Sequence, residues 1–208
     1  MGSYYGSKRF YMFDSPLPFR FVQRNRNKLG DWRKQSDPEK YYQYEYIYKF
    51  FVRNSNCRRK IIVQVKQYSD TLFKVDFYAT TSNKERKIRN ETISVYRYLT
   101  KVGKANRVAG TILAIIVDMS KQFPDMTFGF QAATMFNENS DDDNRRYKAY
   151  LAMMQLVTGA QNSRWQAFGY SQNSYIFVLQ KRFLEQKDKL IADYGRIFGK
   201  VFEASEAP

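Results

Sequence analysis

The chain has no histidine and one cysteine. The missing histidine removes the usual general base, the usual zinc ligand and every His-containing catalytic triad. The lone Cys57 permits no intrachain disulfide and no cysteine-rich zinc site; a plain thiol in a turn is its expected role. Long apolar runs are lacking too. The longest, Ile112 to Val117, falls far short of the roughly 18 to 20 residues that span a bilayer. The opening MGSYYGSKRF has no apolar signal-peptide core, so export by that route is not expected. Gly6 stands where a myristoylation signal requires Ser or Thr. No internal repeat or low-complexity tract is visible.

Positive charge and aromatic rings are plentiful. Lys and Arg number 35 against 20 Asp and Glu, a net charge of +15, which implies attraction to polyanions or to an acidic protein surface. The first sixty residues carry 14 basic and 5 acidic side chains. Aromatics make up 17% of the chain, enough to supply a core. A length of 208 residues suits one domain with extensions.

Residues 1–40 have little periodicity and several punctuators, including Gly2, Gly6, Pro16, Pro18, Gly30 and Pro38. They read as a basic, aromatic arm. Its candidate contact residues are Arg20, Phe21, Arg24, Arg26, Lys28, Trp32, Arg33 and Lys34. Such a segment suits nucleic acid, with bases stacked on rings and phosphate neutralised by Arg and Lys. It equally suits rings packed on the domain or on a neighbouring subunit, with the charges solvated; this plainer alternative is the one favoured.

A domain is expected over residues 41–182. Tyr41 to Arg53, Lys60 to Tyr68 and Leu72 to Thr80 alternate as half-buried strands, with turns at Asn54-Ser55-Asn56 and Ser69-Asp70-Thr71. Ser82 to Asn90 is a charged connection. From Ile93 to Leu156 the period changes in order. An extended run, Ile93 to Leu99, reaches a turn at Val102-Gly103-Lys104. Val108, Ile112, Ile115, Met119 and Phe123 then recur at helical spacing up to Pro124. Phe128, Phe130 and Ala132 alternate as a strand, and Tyr147, Tyr150, Leu151, Met154 and Val157 return to the helical period. Trp165 to Arg182 reads as two strands around Ser171-Gln172-Asn173-Ser174. Residues 183–208 form an amphipathic helix, Phe183 to Phe202, and a short acidic tail; the helix covers the domain's own sheet or docks on another subunit.

The strand, turn, helix, strand, helix order resembles the acyl-CoA-dependent N-acetyltransferases of the GNAT superfamily. In these a Gln/Arg-x-x-Gly-x-Gly/Ala turn opens the first helix, and an Asn opens a second helix that carries a Tyr. Here Gly103 and Ala105 match the turn, with Thr100 in place of Gln/Arg, and Asn144 opens the second helix. Arg146 and Tyr150 are spaced as in GNAT-like proteins encoded by tailed phages. The resemblance covers about a third of the chain. It implies an α/β (α+β) fold with a mixed, largely antiparallel sheet of six or seven strands flanked by helices.

For an active enzyme the resemblance implies acetyl-CoA, with its pyrophosphate at the helix start near Gly103, Lys104, Ala105, Arg107 and Asn144. Free N–H groups and the helix dipole favour an anion there. Tyr150 would be the general acid to the leaving thiolate and Glu91 the candidate base. The departures at Thr100 and at Tyr147, where a small residue is usual, favour core packing for Tyr150. Asp141-Asp142-Asp143 reads as a helix N-terminal cap and not a metal site, because consecutive carboxylates do not converge on one centre.

The expected function is therefore a non-enzymatic structural or interaction protein, a phage virion or assembly component without cofactor or metal. Its expected partners are other virion or assembly proteins and nucleic acid, in an oligomer that binds no membrane. Its expected location is the virion or the host cytoplasm. The alternatives are an acetyl-CoA-dependent N-acetyltransferase and a nucleic-acid-binding protein.

Overall fold

A computed structural model describes residues 16–27, 30–34, 36–53, 58–79, 105–131, 145–159, 163–171 and 174–199. These residues form a mixed α+β fold around one open sheet. The strands are β1 (Phe19–Arg26), β2 (Tyr44–Arg53), β3 (Arg58–Gln67), β4 (Leu72–Ala79), β5 (Thr127–Gln131), β6 (Trp165–Tyr170) and β7 (Tyr175–Gln180). The helices are α1 (Ala105–Gln122), α2 (Arg145–Thr158) and α3 (Lys187–Phe198). The seven described strands run in the order β1-β2-β3-β4-β5-β7-β6. Every pairing is antiparallel except β4 with β5.

Period-two alternation gives each strand two faces. Tyr46, Tyr48, Phe50 and Val52 of β2 point into one core with Ile61, Val63 and Val65 of β3 and Phe73, Val75 and Phe77 of β4. Helix α1 supplies Val108, Ala109, Ile112, Leu113, Ile115, Ile116 and Met119 to the same core, a stripe at helical spacing. Phe123 caps the end of α1 and rests on Tyr46 and Phe73, with ring centroids 5.5 and 5.2 Å away.

The opposite face is covered over the β4–β5–β7–β6 half. Trp32, Tyr68, Leu72, Tyr170, Tyr175, Phe177 and Leu179 pack there against Leu190, Ile191, Tyr194 and Ile197 of α3. Of the two arrangements expected for the last helix, the described part covers its own sheet. It is also shorter than expected, since Lys181–Gln186 is 3-10 helix and Gly199, at φ +64°, ends α3. Only glycine adopts that left-handed cap without strain.

Within residues 1–40, expected as an arm, one described stretch departs from that expectation. Phe19–Arg26 is a strand of the sheet, paired with β2 from Phe19/Phe50 to Arg26/Tyr44. The register shifts between Phe21 and Gln23, so Val22 is an extra, bulged residue. That bulge puts Phe19, Phe21, Arg24 and Arg26 on one face and hides the alternation. Upstream, the Leu17 amide donates to Thr111 Oγ1 of α1 at 2.8 Å. Among the described residues no helix is long and apolar enough to cross a membrane. The expected strand Ile93 to Leu99, the turn at Asn54-Ser55-Asn56, the connection Ser82 to Asn90, Cys57, Asp141-Asp142-Asp143 and the acidic tail lie outside the described residues.

Candidate functional site

The parallel pair β4/β5 is joined over Leu72/Thr127, Phe73/Phe128 and Lys74/Gly129. Beyond Lys74 the two strands are no longer paired, which opens a fork at the middle of the sheet. Val75 and Phe77 line its β4 side and Phe130 its β5 side, while Ala109 and Ile112 of α1 and Tyr150 and Met154 of α2 close it. The resulting cleft is shallow and partly open to solvent, with a cavity of only about 10 Å³, room for about one water molecule. Its lining among the described residues is apolar, Tyr150 contributing its ring. Edge-on ring contacts hold Tyr150 against Phe77 at 5.9 Å and Phe130 at 6.2 Å.

Tyr150, expected either as an acid or as packing, is half-buried in this cleft. Arg107 stands in the first turn of α1, where its carbonyl accepts from Thr111 Oγ1 at 2.6 Å. Ala105 is the first residue of that helix. Gly103, Lys104, Asn144 and Glu91 lie outside the described residues. Tyr147 is buried in the same core as α1, against β6, where burial raises its hydroxyl pKa. An added Cβ at Gly169 of β6 would sit 2.3 Å from the Tyr147 hydroxyl, so glycine lets helix and strand approach. Among the described residues the cleft offers no carboxylate to deprotonate an amine.

The residues expected on the arm separate into three groups. Arg20, Phe21, Arg24 and Arg26 are exposed on β1, with Phe21 50% accessible although its ring meets Tyr48 edge-on at 5.4 Å. The Arg24 guanidinium lies 3.7 Å above the Tyr44 ring, a cation–π contact that presents its outer side to solvent. Trp32 is not a contact residue: it is 1% accessible and packs edge-on against Tyr68 at 6.2 Å. The chain reverses after β1, and the apolar indole then becomes the lid of the second core. Arg33 and Lys34 flank it on the surface, and the Arg33 carbonyl accepts from Arg196 Nη2 at 2.7 Å. Lys28 lies outside the described residues.

The sequence reading missed an ionic junction beneath this segment. Glu39 Oε1 meets Lys74 Nζ at 2.6 Å and Lys66 Nζ at 3.6 Å, and Lys74 also reaches Asp76 at 3.3 Å. Burial would raise the Glu39 carboxyl pKa, but the hydrogen bond and charge of Lys74, aided by Lys66, outweigh it and hold the pKa below the ordinary value. Lys66 and Lys74 are directly opposite one another on β3 and β4. Two like charges so placed repel, and the Glu39 carboxylate resolves the conflict. The alternation of charge along β3 and β4 was the available signal; nothing local linked Glu39 to it.

Among the described residues no group of three or more Cys, Asp or Glu side chains converges as a metal site would require. Compared with known proteins, the chain matches no family model, no curated protein and no solved structure.

Proposed function

We propose that the chain is a non-enzymatic structural and interaction protein, a GNAT-like body of the kind tailed phages build into virions or assembly intermediates. The observation that carries this reading is the outer rim of β1. It is an edge strand, so one row of its backbone N–H and C=O groups has no strand beside it among the described residues. Phe21 and Val22 are 50% and 39% accessible on that rim, and Arg20, Arg24 and Arg26 flank them. Exposed apolar side chains framed by arginine are what a protein contact uses. The order of meander, helix, strand and helix around a mostly antiparallel sheet supports the GNAT-like description. The test is solution mass across a concentration series for the wild type and Phe21→Glu. Self-assembly or capture of a neighbouring structural protein that Phe21→Glu abolishes is the expected result. A strictly monomeric protein, or assembly indifferent to Phe21→Glu, overturns the reading.

A second reading, an acetyl-CoA-dependent N-acetyltransferase, is favoured by the fork between β4 and β5 with Tyr150 beside it. Titration calorimetry with acetyl-CoA and CoA at low and moderate salt tests it. Binding that survives salt and is lost in Gly103→Asp supports the enzyme. No heat, or binding that salt removes, rules it out.

A further inference from the structure

The half of the sheet face opposite α1 and α2 that α3 does not cover carries its own pattern. On β1 to β4 it presents Arg20, Lys49, Phe51, Arg53, Arg58, Lys60, Ile62 and Tyr78, bordered by the row Ile47, Gln64 and Asp76, whose carboxylate is paired with Lys74 at 3.3 Å. Phe51, Ile62 and Tyr78 belong to neither hydrophobic cluster, and Tyr78 is 38% accessible. One cross-strand row runs Arg20, Lys49, Ile62, Tyr78; the adjoining row on β2 and β3 pairs Phe51 with Lys60. Beyond it Arg53 faces Arg58, and the Arg58 guanidinium lies 3.9 Å over the Phe51 ring.

Three like-charged pairs therefore stand directly opposite on this side of the sheet: Lys66/Lys74, Arg20/Lys49 and Arg53/Arg58. Such pairs destabilise a sheet unless an anion lies between them. The chain supplies that anion for Lys66/Lys74 through Glu39. For Arg20 and Lys49 no carboxylate of the described residues lies within ion-pairing distance. A face that keeps two cations opposed is set for an external anion. Here they share that face with an accessible ring, Tyr78, and with a guanidinium plane, Arg58, both surfaces on which a nucleobase stacks.

We propose that this open half-face of β1–β4 binds single-stranded nucleic acid. Phosphates lie along the Arg20/Lys49 pair, and bases lie on Tyr78 and on the Arg58–Phe51 stack. The site shares Arg20 with the β1 rim, but Lys49 and Tyr78 belong to it alone and test it apart from the assembly reading.

Fluorescence anisotropy of the full chain with a labelled oligothymidylate tests the proposal, with a duplex and polyglutamate as competitors. The single strand binds with an affinity that falls linearly on a log–log plot against salt. Lys49→Gln reduces that slope by about one. Tyr78→Ala weakens binding by roughly five- to a hundred-fold, the range for loss of one stacked base, while circular dichroism shows it folded. As a second readout, the oligonucleotide raises the Tm of the wild type more than that of Lys49→Gln. Four results overturn the proposal: binding indifferent to both face variants, an equal gain in Tm for both proteins, duplex competing as well as single strand, or polyglutamate competing as well, which makes an acidic protein the occupant.

Discussion

Tyr194 places its hydroxyl 3.0 Å from that of Thr127, and the same oxygen bonds the Phe73 carbonyl at 3.2 Å and the Phe73 amide at 3.4 Å. One side chain of α3 thus ties together β4 and β5 where they are still paired, just before the fork opens. Desolvation of this fully buried hydroxyl raises its pKa, an effect its bonds to Thr127 and Phe73 only partly offset. Tyr194→Phe removes the hydroxyl and leaves a buried amide and threonine short of a partner. The expected loss is about 1–3 kcal/mol, read from urea denaturation.

Gly129 lies beneath the same ring. A Cβ there would be 2.8 Å from Phe177 Cδ1 and 3.1 Å from Tyr194 Cδ1. Both rings are fully buried and have little room to shift. Gly129→Ala is expected to cost about 1–3 kcal/mol by overpacking, checked by thermal denaturation. Phe177→Leu in the same chain should recover part of the loss.

The Glu39 junction predicts an acid limb. Because the folded-state pKa of Glu39 lies below its ordinary value of 4.5, its contribution is complete above that value and is lost as pH falls through the folded pKa. Urea midpoints measured from neutral pH downward should therefore fall for the wild type. Glu39→Gln should be less stable at neutral pH, where Lys66 and Lys74 then repel, and the two curves should converge in acid.

An alkaline limb follows from the tyrosines. Burial pushes Tyr48 and Tyr175 up to about 12, with nearby acidic groups adding to the effect. Burial likewise raises Tyr68 and Tyr194. A raised pKa means the folded state holds its proton more tightly. This stabilisation is complete below the ordinary tyrosine value of 10.0 and is lost as pH rises through the folded values. The urea midpoint should drop between those limits, and Tyr48→Phe should flatten the drop.

Most of the scaffold was legible because its signals are periodic. The alternation of β2, β3 and β4, the stripe of α1 stopped at Pro124, and the two strands β6 and β7 follow from residue spacing alone. β1 escaped because the Val22 bulge breaks its phase in an eight-residue strand. Trp32 was misread because basic neighbours surround it in sequence, while its burial depends on Tyr68 and α3, far along the chain. For the candidate site, Tyr150 and the helices could be named from sequence. Val75, Phe77 and Phe130 could be placed only once the register of β4 with β5 was known. The opposed Arg20 and Lys49 needed register too, because no local pattern reveals which residues stand opposite on neighbouring strands.

The Leu17 amide bond to Thr111 spans 94 residues, and the Phe73 bond to Tyr194 spans 121. On a ribosome these partners emerge long after the meander of β2 to β4 has left the exit tunnel. The early sheet must therefore wait, its edge strand unanchored until α1 emerges and its second face bare until α3 follows. A chain truncated before Tyr194 would leave Phe73 and Thr127 without their common partner.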